Sequence, residues 1–173
     1  MVHGEGPNTD GFDPDSCANI LVENCTLDTG DDGSYLKSGR DKDGRRIGKP
    51  TGNVTVRHCT FERGHGTVVI GSEESGGVRN VVAEDLTADG TDAGVRIKAR
   101  RGRGGTVENI TYRNVNLKNI KKQAITIDMF YDVGNNPDVS DSGPDAVPIF
   151  KDITIDGLTC DGAAQAIQIH GLP

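Results

Sequence analysis

A short alternating pattern of apolar and polar residues recurs five times along the chain. Each copy begins with Asn or Asp, called position 0 here, and has apolar, small or aromatic residues at +1, +3 and +6. The copies begin at Asn19, Asn53, Asn80, Asn109 and Asp152, so they are 34, 27, 29 and 43 residues apart. Alternation with a period of two predicts short β-strands that bury one face.

A second strand follows each copy at a nearly constant distance. An apolar residue lies at +17 in four copies, and the copy from Asn109 has isoleucines at +16 and +18. These second-strand residues are Leu36, Ile70, Ile97, Ile125, Ile127 and Ile169. Insertions must therefore fall after the second strand. The longest, residues 131–147, is rich in Gly, Asn, Asp and Pro and is predicted to be a surface loop.

Coils of roughly 25 to 30 residues that carry short strands indicate a solenoid. No stretch shows the 3.6-residue periodicity of a helix, and the leucine ladder of a leucine-rich repeat is missing. We therefore predict an all-β fold, a right-handed parallel β-helix of five to six coils, with residues 1–173 forming a single domain. Successive coils would stack about 4.8 Å apart, so residues at equal positions would be neighbours.

Stacking suggests structural roles for two repeated residue types. Cys25 and Cys59 both occupy +6, where later coils have Leu or Val, so we interpret them as core residues rather than metal or redox groups. None of the four cysteines forms a CxxC pair, which leaves a zinc ribbon without support. The Asn residues at position 0 are interpreted as turn residues stacked into an amide ladder.

Charge and hydropathy exclude two classes of partner. A formal net charge of −7 argues against nucleic-acid binding, and no apolar run is long enough to cross a membrane. A local basic segment, from Arg96 to Arg103, instead favours a small anionic ligand. The first residues, Met-Val-His-Gly-Glu-Gly, lack the hydrophobic region of a signal peptide.

Several polar residues fall at positions that stacking would bring into one outward column. Asp31 and His65 both lie at +12, and Asp32 follows at +13. Gly30 and Gly33 flank the aspartate pair and indicate a bend that lets both carboxylates face outward. The predicted column comprises Asp10, Asp31, Asp32, His65, Arg96 and Lys98.

This column suits glycoside hydrolysis, in which one carboxylic acid protonates the leaving oxygen and another carboxylate activates water. An Arg and a Lys nearby would hold the carboxylate of an acidic sugar. Taken alone, Gly-Asp-Asp-Gly is typical of a solvated turn or part of a calcium site, and Arg-Ile-Lys of an ordinary strand. Their coincidence on consecutive coils favours the catalytic interpretation.

The motifs Asn8-Thr9-Asp10-Gly11, Gly30-Asp31-Asp32, Gly64-His65-Gly66 and Arg96-Ile97-Lys98 resemble, in order and approximate spacing, those of the polygalacturonases, family 28 of the glycoside hydrolases. The resemblance implies inverting hydrolysis of α-1,4-galacturonosidic bonds in polygalacturonate, without a cofactor or metal. It also implies a secreted or periplasmic protein.

The resemblance assigns roles to the candidate residues. It implies that Asp31 is the general acid and that Asp10 and Asp32 bind and activate the water. His65 would support the protonation state of the catalytic carboxyl groups or contact the substrate. The substrate-binding residues implied are Arg96, Lys98 and Tyr131.

Two departures from the family pattern bear on function. Gly33-Ser34-Tyr35 stands where family members usually carry Cys and a small apolar run. Family members also have more coils, so we expect an excised or redesigned minimal β-helix whose uncapped ends favour self-association. Two other function classes stay open: a non-catalytic scaffold that binds acidic sugar weakly, and a pectate lyase, which needs calcium and a basic residue to abstract a proton.

Overall fold

The computed structural model describes residues 1–133 and 143–173. The strands are β1 Val2–His3, β2 Ala18–Glu23, β3 Thr26–Asp28, β4 Asp32–Leu36, β5 Thr51–Arg57, β6 Thr60–Arg63, β7 Gly66–Ile70, β8 Val78–Asp89, β9 Val95–Lys98, β10 Thr106–Asp128 and β11 Ile149–His170. One α-helix, α1, spans Asp41–Ile47, and a 3₁₀ helix spans Pro144–Ala146.

The chain winds into a right-handed parallel β-helix, as predicted. All pairs between the named strands are parallel, and they stack into three faces. The strands β8, β10 and β11 are long and bend across more than one face. The first face is β2-β5-β8-β10-β11, the second is β1-β3-β6-β8-β10-β11, and the third is β4-β7-β9-β10-β11. The third face carries the candidate site.

Left-handed residues mark the corners between faces. The residues at position 0 all have φ between 54° and 61°, and the residues at +5 also have positive φ. Asn is well suited to position 0 because its short polar side chain tolerates this backbone conformation. Each amide also donates to the amide oxygen one coil earlier, from Asn53 to Asn19 at 3.0 Å, from Asn80 to Asn53 at 3.0 Å and from Asn109 to Asn80 at 2.7 Å. The predicted amide ladder is therefore present.

The core fills the inside of the coils with stacked apolar side chains. Cys59 is buried in this core and Cys25 packs against it, as their shared +6 position predicts. Tyr112 is fully buried, and its hydroxyl donates to the carbonyl of Val68 at 2.7 Å. In the last coil Ile169 is 65% exposed, because among the described residues β11 pairs with β10 alone.

Helix α1 is a departure from the all-β prediction. It occupies the insertion between β4 and β5, and Gly48 ends it with φ 62° and an N–H that donates to the carbonyl of Gly44. Its seven residues make about two turns, which is too short for a 3.6-residue periodicity to emerge from the sequence.

The predicted surface loop 131–147 is only partly described. Residues 134–142 of this prediction lie outside the described residues. Where the chain is described again, Ala146 is buried and Arg45 of α1 forms an ion pair with Asp145 at 3.4 Å. No helix within 1–133 or 143–173 is long and apolar enough to cross a membrane.

The amide ladder can be tested at Asn80, which lies in its middle. Asn80→Ala should lower the free energy of unfolding by about 2 kcal/mol, since it removes two amide hydrogen bonds and places a less tolerant residue at φ 56°. Asn80→Gly removes the same bonds but adopts positive φ freely, so it should cost only about 1 kcal/mol. Guanidinium unfolding measures both, and equal stability of the two variants and the parent would contradict the ladder's contribution.

Candidate active site

Coil stacking brings Asp31 and His65 together on the outer surface of the third face. The backbone N–H of His65 donates to the carbonyl of Asp31 at 2.8 Å. The Asp31 Oδ1 lies 2.7 Å from Nδ1 of His65. The shared +12 position thus produces a direct carboxyl–imidazole contact, in which both side chains remain open to solvent on one side.

Asp32 occupies the buried end of the same site. Its side chain is 1% exposed, and its two oxygens each face a cation. Oδ1 accepts from Arg96 at 3.1 Å, and Oδ2 accepts from Lys98 at 2.8 Å. Arg96 and Lys98 therefore join the column as predicted, but they do so by neutralising Asp32. The Lys98 side chain is nearly buried, whereas that of Arg96 is 20% exposed.

The carboxyl groups of Asp31 and Asp32 share one face because Asp31 lies in a bend just before β4 and not in the strand itself. Asp32 reaches outward to Lys98, and a side-chain carbon at Gly33 would lie 2.4 Å from the ring of Phe61, which is a core residue. Position 33 therefore faces the interior, and only glycine fits there. Gly30 is required for a different reason, because a side chain there would lie 2.1 Å from the carbonyl oxygen of Gly6.

Asp10 joins the site from the partial coil at the start of the chain. Its Oδ1 accepts the backbone N–H of Asp32 at 2.9 Å, and the N–H of Gly11 donates to the carbonyl of Asp32 at 3.0 Å. Burial, followed by a hydrogen bond to Asp13 and the charge of Asp13, raises the pKa of Asp10 to about 7. Asp10 therefore holds its proton up to near-neutral pH.

Asp13 and Lys37 belong to the site but were not among the predicted residues. Lys37 Nζ lies 2.8 Å from Oδ2 of Asp13 and 3.9 Å from Oδ2 of Asp10. Lys37 could have been found from the repeat, because it lies at +18, the position that Lys98 occupies two coils later. Asp13 precedes the first copy of the repeat, so no equivalent signal exists for it.

Two tyrosines surround the cations. Lys98 Nζ lies 4.8 Å from the ring centre of Tyr35 and 4.9 Å from that of Tyr131. Arg96 also faces the Tyr131 ring at 5.8 Å, so the structure brings Tyr131 to the predicted site. Burial lowers the pKa of Lys98, and the charge of Asp32 opposes that change. Burial raises the pKa of both tyrosines, so they are neutral near pH 7.

Asp31, Asp32 and His65 also meet a geometric requirement for binding a cation, since one ligand atom from each lies within 4.8 Å of the others. The electrostatics disfavour a divalent ion there. Arg96 and Lys98 already neutralise both Asp32 oxygens and would repel it. The arrangement suits an anionic organic ligand better, and the absence of a metal requirement stays a prediction.

Comparisons with known proteins agree with this geometry. The sequence matches the family model described as glycosyl hydrolases family 28 over residues 2–171. A probable polygalacturonase from Vitis vinifera is 36% identical over 170 residues, which are 96% of this chain and 33% of that protein. An endo-polygalacturonase from Pectobacterium carotovorum subsp. carotovorum is 39% identical over 150 residues, which are 85% of this chain and 34% of that protein.

A solved structure shares the fold closely. The hyperthermoactive exopolygalacturonase from Thermotoga maritima matches with a TM-score of 0.88 at 40% identity, over 96% of this chain and 36% of that chain. This chain thus spans about a third of the length of the relatives it matches. Because the family model covers nearly the whole chain and the coils carry the same fold, the protein belongs to glycosyl hydrolase family 28.

Proposed function

We propose that this chain hydrolyses α-1,4-galacturonosidic bonds in polygalacturonate or its oligomers with inversion of configuration. The observation that carries the proposal is the convergence of three carboxyl groups, those of Asp10, Asp31 and Asp32, beside Arg96 on one outer face. Carboxyl groups supply the acid and the base of the reaction, and the cation offers a partner for the acidic sugar. The relatives, which are polygalacturonases by name, support the substrate class.

Asp31 is the general acid in this proposal. It is the carboxyl group that contacts His65, and it stays accessible to the oxygen of the leaving sugar. His65 is half-exposed, so it exchanges protons with water and returns one to Asp31 after each turnover. General acid catalysis by a positioned carboxyl group contributes about 100- to 10,000-fold to the rate.

Asp10 is the general base, and Asp32 positions it. A carboxylate whose pKa is raised to about 7 is a stronger base than an ordinary aspartate and takes a proton from water more readily. The Asp32 backbone N–H holds the Asp10 carboxylate in place at 2.9 Å.

The acidic sugar is recognised by Arg96 and Tyr131. Arg96 is the more exposed of the two cations beside Asp32, and its guanidinium has donors left to bind a galacturonate carboxylate. Tyr131 faces Arg96 and offers a ring and a hydroxyl to the sugar. Lys98 remains with Asp32 and contributes positive charge without direct access to the ligand. The reaction requires no metal and no cofactor in this proposal.

The first test is release of reducing ends from polygalacturonic acid in the presence of EDTA. The parent chain should be active, and Asp31→Asn should lose at least about 100-fold in rate because the acid is removed. Asp161→Asn, on the exposed surface of the last coil, is the matched control and should leave the rate unchanged. Activity that disappears with EDTA and yields unsaturated products would identify a lyase. Binding without turnover in the parent would identify a scaffold.

The second test uses the pH dependence of kcat/KM. Asp10 must be ionised to act as a base, so the rate should fall as pH decreases below about 7. Asp13→Asn removes the neighbouring negative charge, which lowers the pKa of Asp10 and moves this acid limb to lower pH. Asp43→Asn, a change on the exposed side of α1, should not move it. An acid limb at the same pH in all three proteins would rule out Asp10 as the titrating base.

A further inference from the structure

Tyr35 stands at a point where this chain departs from the family pattern, and the proposed reaction gives it no role. It lies on β4 at +16 and stacks beside Val69, which in turn stacks beside Arg96. Tyr35 is half-buried on the outer surface of the third face, among the charged groups of the site.

The Tyr35 ring contacts two ammonium groups. Lys37 Nζ lies 4.2 Å from its centre and Lys98 Nζ lies 4.8 Å from it. Both distances fall within the range of cation–π attraction, which extends to about 6 Å from the ring centre. Such attraction is strongest where the cation is removed from water, and the Lys98 side chain is only 6% exposed.

The two ammonium groups serve opposite sides of the site. Lys37 pairs with Asp13 and approaches Asp10, whereas Lys98 pairs with Asp32. Together they offset negative charge that would otherwise repel an anionic sugar. Lysine side chains are flexible, so a fixed partner for each ammonium group is needed to keep that compensation in place.

We propose that Tyr35 is a positioning residue whose ring holds Lys37 and Lys98 beside the carboxyl groups and thereby strengthens binding of galacturonate oligomers. The inference rests on the proposed function, because it takes the ligand to be an acidic sugar. Tyr131 lies 4.9 Å from Lys98 Nζ and assists with that cation, but Tyr35 contacts both. One ring thus contacts both the lysine beside Asp10, the proposed base, and the lysine that pairs with Asp32.

Binding without turnover tests this proposal. In an Asp31→Asn background, Tyr35 is replaced by Phe and by phenylalanines with one, two or three ring fluorines, which keep the shape of the ring but withdraw charge from its face. Affinity for trigalacturonate is measured by calorimetry. Tyr35→Phe should keep the affinity of the Tyr35 protein, and each added fluorine should weaken it, to about tenfold in total. The same series at Phe61, whose ring packs in the apolar core, is the control and should give no trend.

The outcomes separate the two proposals. A flat series at Tyr35, with trigalacturonate bound normally, would overturn the role of Tyr35 and leave the proposed function standing. An equal fall in the Phe61 series would also overturn it, since the effect would then come from the fold. No binding of trigalacturonate by the Asp31→Asn protein, under conditions where it is folded by circular dichroism, would contradict the proposed function and this inference with it.

Discussion

Parallel hydrogen bonding between successive coils sets the distance between residues at matching positions. The backbone bond from His65 to Asp31 and the bond from Gly11 to Asp32 belong to this pattern. They bring side chains from separate turns of the chain into contact while neighbouring coils stay about 4.8 Å apart. The core, the amide ladder and the carboxyl column all follow from that spacing. A shift of one residue in any coil would turn its inward side chains outward and separate the column.

Clustering the carboxyl groups of the site costs electrostatic free energy, which the packing of the coils must offset. Three carboxyl groups lie close together on partly buried backbone, and unpaired buried charge is expensive. The structure stabilises each of the three carboxyl groups in a different way. Asp32 is buried and paired with two cations, Asp10 holds its proton up to about pH 7, and Asp31 stays near solvent beside His65. Three aspartates thus receive three environments, which is what division into acid, base and supporting roles requires.

Position arithmetic could predict the coils, the amide ladder, the contact between Asp31 and His65, and the approach of the Arg96 strand. The same arithmetic applied to the first coil would have found Tyr35 and Lys37, which share their offsets with Arg96 and Lys98. Three features could not be predicted in this way. Asp13 precedes the repeat, and α1 is a short insertion whose ending depends on Gly48 rather than on periodicity. The pairing of Lys98 with Asp32 also needed side-chain reach, which offsets alone do not contain.

The central claim is that these carboxyl groups act as acid and base on opposite faces of the sugar ring. Proton NMR of trigalacturonate during the first turnovers tests it most directly, because the configuration of the new reducing end is visible before it equilibrates. Water activated opposite the leaving group inverts the α-linkage, so the account predicts that the β-anomer forms first. Initial release of the α-anomer, or of signals from an unsaturated sugar, would contradict it.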